Sequence, residues 1–230
     1  MKVIILAGGK GTRLAEYTNL IPKPMVKIGK KAILEHIISY YQKFGFNEFI
    51  IAAGYKSKII KDHFKNKKNI RVINTGLNTL TGLRIKKLEK YINETFMLTY
   101  GDGLSNIDLH KLLKFHKKNK KLMTLTSVHP PARFGEIKLK NNLITKFEEK
   151  PQLQNGWING GFFVIEPGFF KYLSGKKNVM LERDPIKKLV KRKQIAAYCH
   201  NDFWYCMDNV RDKVILEDLF KSKKAPWMIR

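Results

Sequence analysis

Three glycines follow the first apolar run of the chain, in the segment LAGGKGTRL at residues 6–14. Because glycine has no Cβ atom, the backbone amides of such a loop can approach phosphate oxygens closely. Lys10, Thr12 and Arg13 add donors and positive charge. The spacing matches neither the dinucleotide fingerprint nor the GxxxxGK[ST] loop. We therefore expect a phosphate-binding turn of another type, with an ordinary strand-to-helix turn as the alternative.

The next candidate is Lys23, which lies between Pro22 and Pro24. The prolines restrict the backbone on both sides of the lysine and predict an extended stretch there. A lysine held in this way, close in sequence to a phosphate loop, can point its ammonium group at a phosphate. A surface lysine between turn prolines is the alternative.

Two aspartates are candidates for binding a metal ion. Asp102 lies between Gly101 and Gly103 directly after an apolar run, and Asp208 follows the aromatic segment FWYCM. Carboxylates that converge at the ends of strands are natural ligands of Mg²⁺. An Asx turn is the alternative for Asp102, but the pair predicts one magnesium site at the rim that holds the glycine loop.

A fourth set of candidates lies in the second half of the chain. Lys150 precedes Pro151, so its backbone is restricted in the same way. Asn159 and Gly160, in the segment WINGGFF, offer amide and backbone groups of the kind that bind sugar hydroxyls. The two phenylalanines of that segment are favoured as core residues.

The elements that must position these residues alternate between apolar strands and amphipathic helices over the first 128 residues. Apolar positions about one turn apart indicate the helices. The alternation predicts an α/β fold with a largely parallel sheet, in which ligands bind beyond the carboxyl ends of the strands. Strands are predicted at 3–7, 48–53, 70–74, 95–100 and 123–128, and helices at 33–44, 58–64 and 106–118.

The pattern changes after Pro130, where the predicted strands become shorter. They suggest a smaller, partly antiparallel appendage. Its strands are predicted at 136–139, 143–149, 157–165 and 195–198, with helices at 185–193 and 213–221.

Composition limits the class of protein. The chain has 230 residues, with 45 Lys and Arg against 19 Asp and Glu, which gives a formal net charge of +26. The length suits one large domain, and a hydrophobic content of 43% excludes a disordered basic tail. The charge makes a nucleic-acid-binding protein the first alternative, although the lysines are spread over solvent-type positions instead of alternating with exposed aromatics.

The compartment can also be predicted. The apolar N-terminal run ends at Gly8 and is too short for a signal sequence or a membrane span. Cys199 and Cys206 are too few for a disulfide framework or a structural zinc site. We expect a cytoplasmic, reduced protein that binds neither nucleic acid nor membrane.

Together the motifs resemble a known family. LAGGKGTRL with the later PKPM resembles the signature of the sugar-phosphate nucleotidyltransferases. Seven further segments resemble the branch that transfers a cytidylyl group to glucose 1-phosphate; they are INTGLNTLTGLR, LTYGDG, PPARFGEI, FEEKP, WINGGFFVIEP, FWYCMDNVRD and APW. The resemblance extends from Lys2 to Trp227.

The resemblance implies a Rossmann-like α/β fold with a mixed, mainly parallel sheet and a small β-rich sugar-binding extension. Within one domain over 1–230, residues 1–128 would form the nucleotide-binding core, and 129–230 the sugar-phosphate part with the C-terminal helices. CTP and α-D-glucose 1-phosphate would be the substrates, CDP-glucose and pyrophosphate the products, and Mg²⁺ the cofactor of a homo-oligomer. In this family CDP-glucose typically enters dideoxysugar synthesis for surface polysaccharide (lipopolysaccharide O-antigen).

The resemblance also implies a role for each matching residue. Arg13, Lys23, Asp102 and Lys150 would be catalytic, and Asp102 and Asp208 would bind the metal. The nucleotide would contact Leu6, Ala7, Gly8, Gly9, Gly11, Thr12, Arg13, Lys23, Thr79, Arg84 and Gly101. The sugar phosphate would contact Lys150, Asn159, Gly160 and Glu182.

Three features depart from the family's pattern. Leu83 stands where the family usually has glycine near the base, which keeps UTP or dTTP with another hexose 1-phosphate open as an alternative. Asp184 stands where a glutamate usually precedes the proline. The segment between Phe64 and Thr75 is shorter than usual, which bears on the oligomer and on part of the site.

The residue types suit the implied reaction. The second pKa of a phosphate monoester is about 6, so the nucleophile is already mostly dianionic at neutral pH and needs no general base. No histidine occurs in the motifs, which agrees with this. Arg13, Lys23, Lys150 and Mg²⁺ would supply positive charge and alignment for in-line attack on the α-phosphorus. A regulatory protein with a decayed site is a further alternative, and the retention of both aspartates argues against it.

Overall fold

The computed structural model describes residues 1–131, 136–148, 156–173 and 178–228. Its strands are β1 Lys2–Ala7, β2 Lys27–Ile28, β3 Lys31–Ala32, β4 Glu48–Ala53, β5 Ile70–Asn74, β6 Phe96–Tyr100, β7 Gly103–Ser105, β8 Met123–Val128, β9 Glu136–Lys140, β10 Leu143–Glu148, β11 Ile158–Ile165, β12 Ile195–His200 and β13 Trp204–Cys206. Its α-helices are α1 Ala15–Thr18, α2 Ile33–Lys43, α3 Ser57–Phe64, α4 Thr81–Lys86, α5 Leu109–Asn119, α6 Asp184–Lys191 and α7 Val210–Lys221. Short 3-10 turns cover Thr12–Leu14, Lys23–Met25, Glu89–Tyr91 and Pro167–Tyr172. None of the described helices combines the length and the apolar composition that a bilayer span requires.

Seven strands form the central sheet, in the order β12-β8-β11-β6-β1-β4-β5. β1 pairs in parallel with both β4 and β6, whereas β11 runs antiparallel to its neighbours. The last five residues of β1 are all buried, which is typical of a parallel strand that is covered on both faces. The predicted α/β class with a mainly parallel sheet is confirmed.

The prediction placed four strands of the second half in a separate appendage, and it is wrong for two of them. β11 and β12 join the central sheet on either side of β8. β11 does so because its residues 162–165 are all buried, and such an apolar run needs cover on both faces. Of the four, β9 and β10 remain outside that sheet and pair with each other. The division of the chain at residue 128 stays a prediction.

Alternation along β1 places two hydrophobic clusters on opposite faces of the sheet. Val3 and Ile5 belong to one cluster, which includes the buried side of α2. Ile4 and Leu6 belong to the other, which includes Ile85 of α4. Because both faces are covered, the carboxyl ends of the parallel strands remain the open edge at which this class of fold binds ligands.

The C-terminal segment is attached to this framework by a buried tryptophan. Trp227 donates from Nε1 to Nδ1 of His36 at 3.3 Å and stacks on Phe203 with ring centroids 5.6 Å apart. The Nε2 atom of His36 lies 2.9 Å from the carbonyl oxygen of Ile28. Since Nδ1 accepts, Nε2 carries the proton and the buried imidazole is neutral. Burial lowers the pKa of His36 below its ordinary value.

We expect the free energy of unfolding to decrease as the pH falls below about 6.5, where the unfolded chain protonates His36 and the folded chain resists it. His200, whose pKa burial also lowers, contributes with the same sign. His36→Gln should make stability less dependent on pH between about pH 5 and 7, as measured by urea titration at each pH. Exposed His110→Gln is the control. Equal slopes for His36→Gln and the original chain would contradict the expectation.

Candidate active site

The glycine loop and Asp102 meet because two neighbouring strands end at the same edge of the sheet. β1 and β6 are parallel, with Leu6 opposite Tyr100, and the Gly101 amide donates to the Leu6 carbonyl at 3.0 Å. The loop at 8–14 follows β1, and Asp102 follows β6. The strand pairing alone therefore places the loop beside the aspartate.

Close backbone approach fixes the position of Lys23. Gly11 has a φ of 65°, in the left-handed region, and a Cβ atom there would lie 2.9 Å from the Cβ of Lys23. Lys23 begins the 3-10 turn Lys23–Met25, so the extended stretch that its prolines predict is wrong. The reason is that Pro24, in the first turn, has no amide hydrogen to lose and a φ that suits a helical turn. The stem of the lysine is thereby held against the glycine loop.

Four charged side chains form the centre of the site. Lys23 donates from Nζ to Oδ2 of Asp102 at 2.6 Å and to Oδ1 of Asp208 at 2.8 Å. Arg13 donates to the other Asp208 oxygen at 2.7 Å. The side chain of Lys23 is 12% exposed and that of Arg13 is 71% exposed. Lys23 is thus a buried bridge between two carboxylates, whereas Arg13 lies at the surface and is free to turn towards another anion.

Two members of this group, Lys23 and Asp208, hold their charge firmly at neutral pH. Burial disfavours the ammonium form of Lys23, but Asp102 and then Asp208 outweigh it and raise the pKa of the lysine above its ordinary value. Burial acts to raise the pKa of Asp208, yet Lys23 and Arg13 together hold it below its usual value. Neither Lys23 nor Asp208 is therefore suited to exchange a proton during a reaction, which agrees with chemistry that needs no general base.

Asp208 reaches this centre through a short antiparallel strand pair. β13 pairs with β7, which follows Asp102, and Cys206 lies opposite Gly103. The amide of Met207 donates to the Asp102 carbonyl at 2.9 Å. The two aspartates, far apart in sequence, are in this way fixed to each other through the backbone.

The donors at this point fit a hard divalent cation. One ligand atom each of Asp102, Asp208 and Cys206 all lie within 4.8 Å of one another. Carboxylate oxygens are the ligands that Mg²⁺ takes from proteins. Burial, and then Asp102, raise the pKa of the Cys206 thiol, so this sulfur is protonated and unsuited to a hard cation. The two carboxylates are therefore the residues that could hold the metal.

Arg84 ties the glycine loop to the loop after β5. Its guanidinium donates to the carbonyls of Ala53 at 2.9 Å, Gly8 at 3.3 Å and Thr79 at 2.6 Å, and to the hydroxyl of Thr75. Gly8 must lack a side chain, because a Cβ atom there would overlap the guanidinium. Arg84 is 3% exposed. It lines the cavity, but its donors are used on the protein itself, so it acts as a buried clamp.

Arg84→Lys is expected to lower the free energy of unfolding by about 3 kcal/mol, because an ammonium cannot reproduce the planar fork that serves four acceptors. The same change should weaken nucleotide binding, since the loop at residue 8 loses its link to Thr79. Urea unfolding and calorimetric titration with CTP measure the two effects. Arg211→Lys, at an exposed position on α7, is the matched control. A change within about 0.5 kcal/mol for Arg84→Lys would contradict the clamp.

Tyr100 connects the residues expected to contact the sugar. Its hydroxyl donates to one oxygen of Glu182 and accepts from Nδ2 of Asn159 at 3.2 Å. The other Glu182 oxygen accepts from the Thr81 hydroxyl at 2.7 Å. Burial, and then Glu182, raise the pKa of Tyr100, so the phenol keeps its proton and stays a donor. Asn159 and Glu182 are therefore oriented by a tyrosine to which sequence reasoning gave no role.

A cavity of about 460 Å³ contains most of the predicted site residues. Its lining includes Leu6, Ala7, Gly8, Gly9, Gly11, Thr12, Arg13, Lys23, Arg84, Gly101, Asp102, Asn159 and Asp208. Three predicted residues border it by hydrogen bonds to lining residues: Thr79 to Arg84, Glu182 to Thr81 and Tyr100, and Gly160 to Trp204. Lys150 lies outside the described residues.

Sequence reasoning gave no role to four residues that line this cavity, namely Thr81, Tyr100, Trp204 and Cys206. Tyr100 and Cys206 each stand two residues before a predicted metal-binding aspartate, so their positions next to the motifs were a usable signal. Trp204 donates from Nε1 to the Gly160 carbonyl at 2.6 Å, a contact between distant segments that no local pattern indicates.

Comparison with known proteins gives consistent matches. The family model described as Nucleotidyl transferase matches residues 2–211. A glucose-1-phosphate cytidylyltransferase of Salmonella typhimurium is 39% identical over 254 residues, covering 99% of this chain and 98% of that protein. A Bacillus subtilis protein named as a probable glucose-1-phosphate cytidylyltransferase is 38% identical, and the alignment covers 100% of this chain and 100% of that protein.

The Salmonella alignment of 254 residues is longer than this chain of 230, so that relative has residues which this chain lacks. The place of the shortening, between Phe64 and Thr75, stays a prediction. Among solved structures, a UDP-glucose pyrophosphorylase complexed with UDP-glucose matches with a TM-score of 0.74 at 21% identity, covering 96% of this chain and 98% of that one. This likeness concerns the fold, and it agrees with the Rossmann-like architecture that the motifs imply.

Proposed function

Because this chain belongs to the nucleotidyl transferase family, we propose that it transfers the cytidylyl group of CTP to α-D-glucose 1-phosphate, giving CDP-glucose and pyrophosphate. The observation that carries nucleotidyl transfer is one cavity that combines the glycine loop with two carboxylates, both paired with Lys23 and one also paired with Arg13. The choice of CTP and glucose 1-phosphate rests on the identity of 38% and 39% with proteins of that name.

Different residues of the site would bind different parts of the triphosphate. Amides of the glycine loop donate to its oxygens, as the open edge of the sheet allows. Arg13, which is exposed and paired with one Asp208 oxygen, turns to the β- and γ-phosphates that leave as pyrophosphate. Lys23 keeps its charge and turns its ammonium to the α-phosphate where the cation takes its place on the two carboxylates.

The reaction is an in-line displacement. An oxygen of the glucose 1-phosphate dianion forms a bond to the α-phosphorus, while the bond from the α-phosphorus to the oxygen bridging to the β-phosphate breaks. No proton has to be removed from the nucleophile at neutral pH. The protein therefore contributes alignment and positive charge, and Arg13 and Lys23 with Lys150 are the proposed sources of that charge.

Asp102 and Asp208 would hold a divalent cation, proposed to be Mg²⁺. When bound, such an ion neutralises charge on the triphosphate and polarises the phosphoryl group that is attacked. The chain prepares this position by holding both carboxylates next to each other around Lys23.

The sugar phosphate is proposed to lie on the side of the cavity formed by Asn159, Gly160 and Glu182. Tyr100 orients two of these residues, and Trp204 holds the carbonyl of Gly160. The proposal further includes a nucleotide-binding part over 1–128 and a sugar-phosphate part over 129–230. It also includes assembly into a homo-oligomer in the cytoplasm, and use of the product for surface dideoxysugars.

A pyrophosphate-release assay of the purified protein tests this proposal. Each nucleoside triphosphate is paired with each of several hexose 1-phosphates in the presence of Mg²⁺. We expect kcat/KM for CTP with glucose 1-phosphate to exceed every other pair by at least about tenfold, a margin that one or two lost contacts in a base pocket supply. Equal or better turnover with UTP or dTTP would establish the alternative that Leu83 keeps open, and Leu83→Gly would then show whether this residue sets the preference.

A further inference from the structure

A second cavity lies at the amino-terminal ends of the parallel strands, whereas the candidate active site lies at their carboxyl ends. It measures about 550 Å³, and its lining comes from the amino-terminal ends of β1, β4 and β5, the turn before β5, and the 3-10 turn Glu89–Tyr91. Six residues of β1 at about 3.3 Å each separate it from the glycine loop, a distance of about 20 Å. The proposed reaction makes no use of this surface.

The lining of this cavity is strongly cationic. Lys2, Lys68, Arg71 and Lys90 contribute positive charge, and Glu48 is the carboxylate among the lining residues. The strand register explains part of the grouping, because Lys2 lies opposite Glu48 and Arg71 lies opposite the next residue on the same face, residue 50. The two cations therefore project from one face of the sheet.

The two carboxylates nearest to Lys90 in sequence are already engaged in other ion pairs. Glu89 pairs with Lys86 at 2.6 Å, and Glu94 pairs with the N-terminal ammonium at 3.3 Å. Within residues 1–131, 136–148, 156–173 and 178–228, the four cations of the cavity form no ion pair. Four cations against the single carboxylate of Glu48 leave the lining of this cavity with an excess of positive charge.

Tyr91 orders two of these cations at the wall of the cavity. The Arg71 guanidinium lies 5.3 Å from the centre of the Tyr91 ring, and the Lys90 ammonium lies 5.2 Å from it. Cation–π contacts of this kind restrict side chains that otherwise sample many rotamers. A concave surface with ordered, excess positive charge attracts multivalent anions.

We propose that this cavity is a second anion site, which binds a small molecule that carries two or more linked phosphate groups. The volume is of the size that accommodates small ligands, and several cations around one space suit a phosphate chain better than a single charge. A nucleic acid would instead need an extended basic stripe with several exposed aromatics, whereas the cavity is compact and its aromatics are the half-buried Tyr91 and the buried Phe49. Pyrophosphate and a nucleoside triphosphate share the recognised group, and binding here does not depend on the proposed reaction.

Calorimetric titration with inorganic tripolyphosphate, at low ionic strength and without metal, tests the site. We expect two binding events per chain, one at the glycine loop and one at the cavity. The triple variant Lys68→Gln/Arg71→Gln/Lys90→Gln should lose one event or weaken it by on the order of tenfold or more. All three positions are exposed, so the variant is expected to fold, and circular dichroism checks this. Parallel titrations with pyrophosphate, CTP and CMP distinguish the sources of the phosphate chain.

A matched control removes the same charge from another basic surface. Lys114→Gln/Lys117→Gln/Lys118→Gln changes exposed residues of α5, none of which lines the proposed cavity. This control should keep both binding events. The proposal is overturned if the first variant keeps both events, if the control loses as much, or if single-stranded DNA binds the site more tightly than tripolyphosphate.

Discussion

Replacing Lys23 by methionine is expected to lower turnover by about a thousandfold, the loss that follows removal of one positioned electrostatic donor from a transition state. Methionine keeps the length and apolar character of the lysine stem, so packing against Gly11 is preserved. The charge between Asp102 and Asp208 is lost, and two carboxylates that each accepted from one ammonium now face each other. The change therefore acts on both catalysis and stability.

The stability effect has a direction that depends on metal. Without metal, the free energy of unfolding of Lys23→Met should be lower by about 2 kcal/mol, because breaking a buried pair leaves uncompensated charge, and the partial exposure of both aspartates reduces that cost. Added Mg²⁺ should stabilise the variant more than it stabilises the original chain, since a cation then replaces the missing ammonium. Thermal unfolding with and without Mg²⁺ measures this difference.

Lys27→Met is the matched control, because Lys27 is exposed and lies only four residues further along the chain. It should change neither turnover nor the response to Mg²⁺. If Lys23→Met retained more than about a tenth of normal turnover, the lysine would not be part of the transition-state charge. If both chains responded equally to Mg²⁺, the ammonium and the metal would not share the same carboxylates.

The parts of this site that the sequence predicted are those fixed by short-range rules. Three motifs can be recognised from a few consecutive residues each: a glycine loop after a buried strand, an aspartate between two glycines, and a lysine between two prolines. Parallel strands then bring the first two together without further information, as the pairing of Leu6 with Tyr100 illustrates. The family resemblance supplied the roles of the remaining residues, and their roles stay predictions.

The parts that could not be predicted depend on contacts between distant segments. Arg84 was expected over the nucleotide, and nothing local indicates that its guanidinium serves the carbonyls of residues 8, 53 and 79. The place of β11 in the central sheet was also missed. Shorter strands after Pro130 suggested an appendage, but a run of four buried residues can be covered only inside the main sheet.

The charge of +26 illustrates the same distinction between local and global information. Composition predicts attraction to anions, but it cannot say where on the surface. The structure separates two groups of cations with different surroundings. Lys23 forms ion pairs with two carboxylates at the carboxyl ends of the parallel strands. At the amino-terminal ends, Arg71 and Lys90 form no ion pair among the described residues.

Asp102→Asn tests the metal assignment at the same centre. The substitution keeps the shape of the side chain and an oxygen that can accept from Lys23, and the backbone bond from Met207 to residue 102 is unaffected. We expect the chain to fold normally and turnover in saturating Mg²⁺ to fall by about a thousandfold or more, because the proposed metal site would lose one of its two carboxylate ligands. Asp62→Asn on the exposed side of α3 is the control and should leave turnover unchanged.

The two variants are most informative together, because they should alter the response to Mg²⁺ in opposite directions. Lys23→Met removes a competitor for the carboxylates and should lower the Mg²⁺ concentration needed for half-maximal stabilisation. Asp102→Asn removes a ligand and should raise that concentration by about tenfold or more. Near-normal turnover of Asp102→Asn in Mg²⁺ would show that the carboxylate does not hold the metal. A shift of both variants in the same direction would mean that Lys23 and the cation do not exchange at one site, and the buried bridge would then be a structural feature that persists when substrate binds.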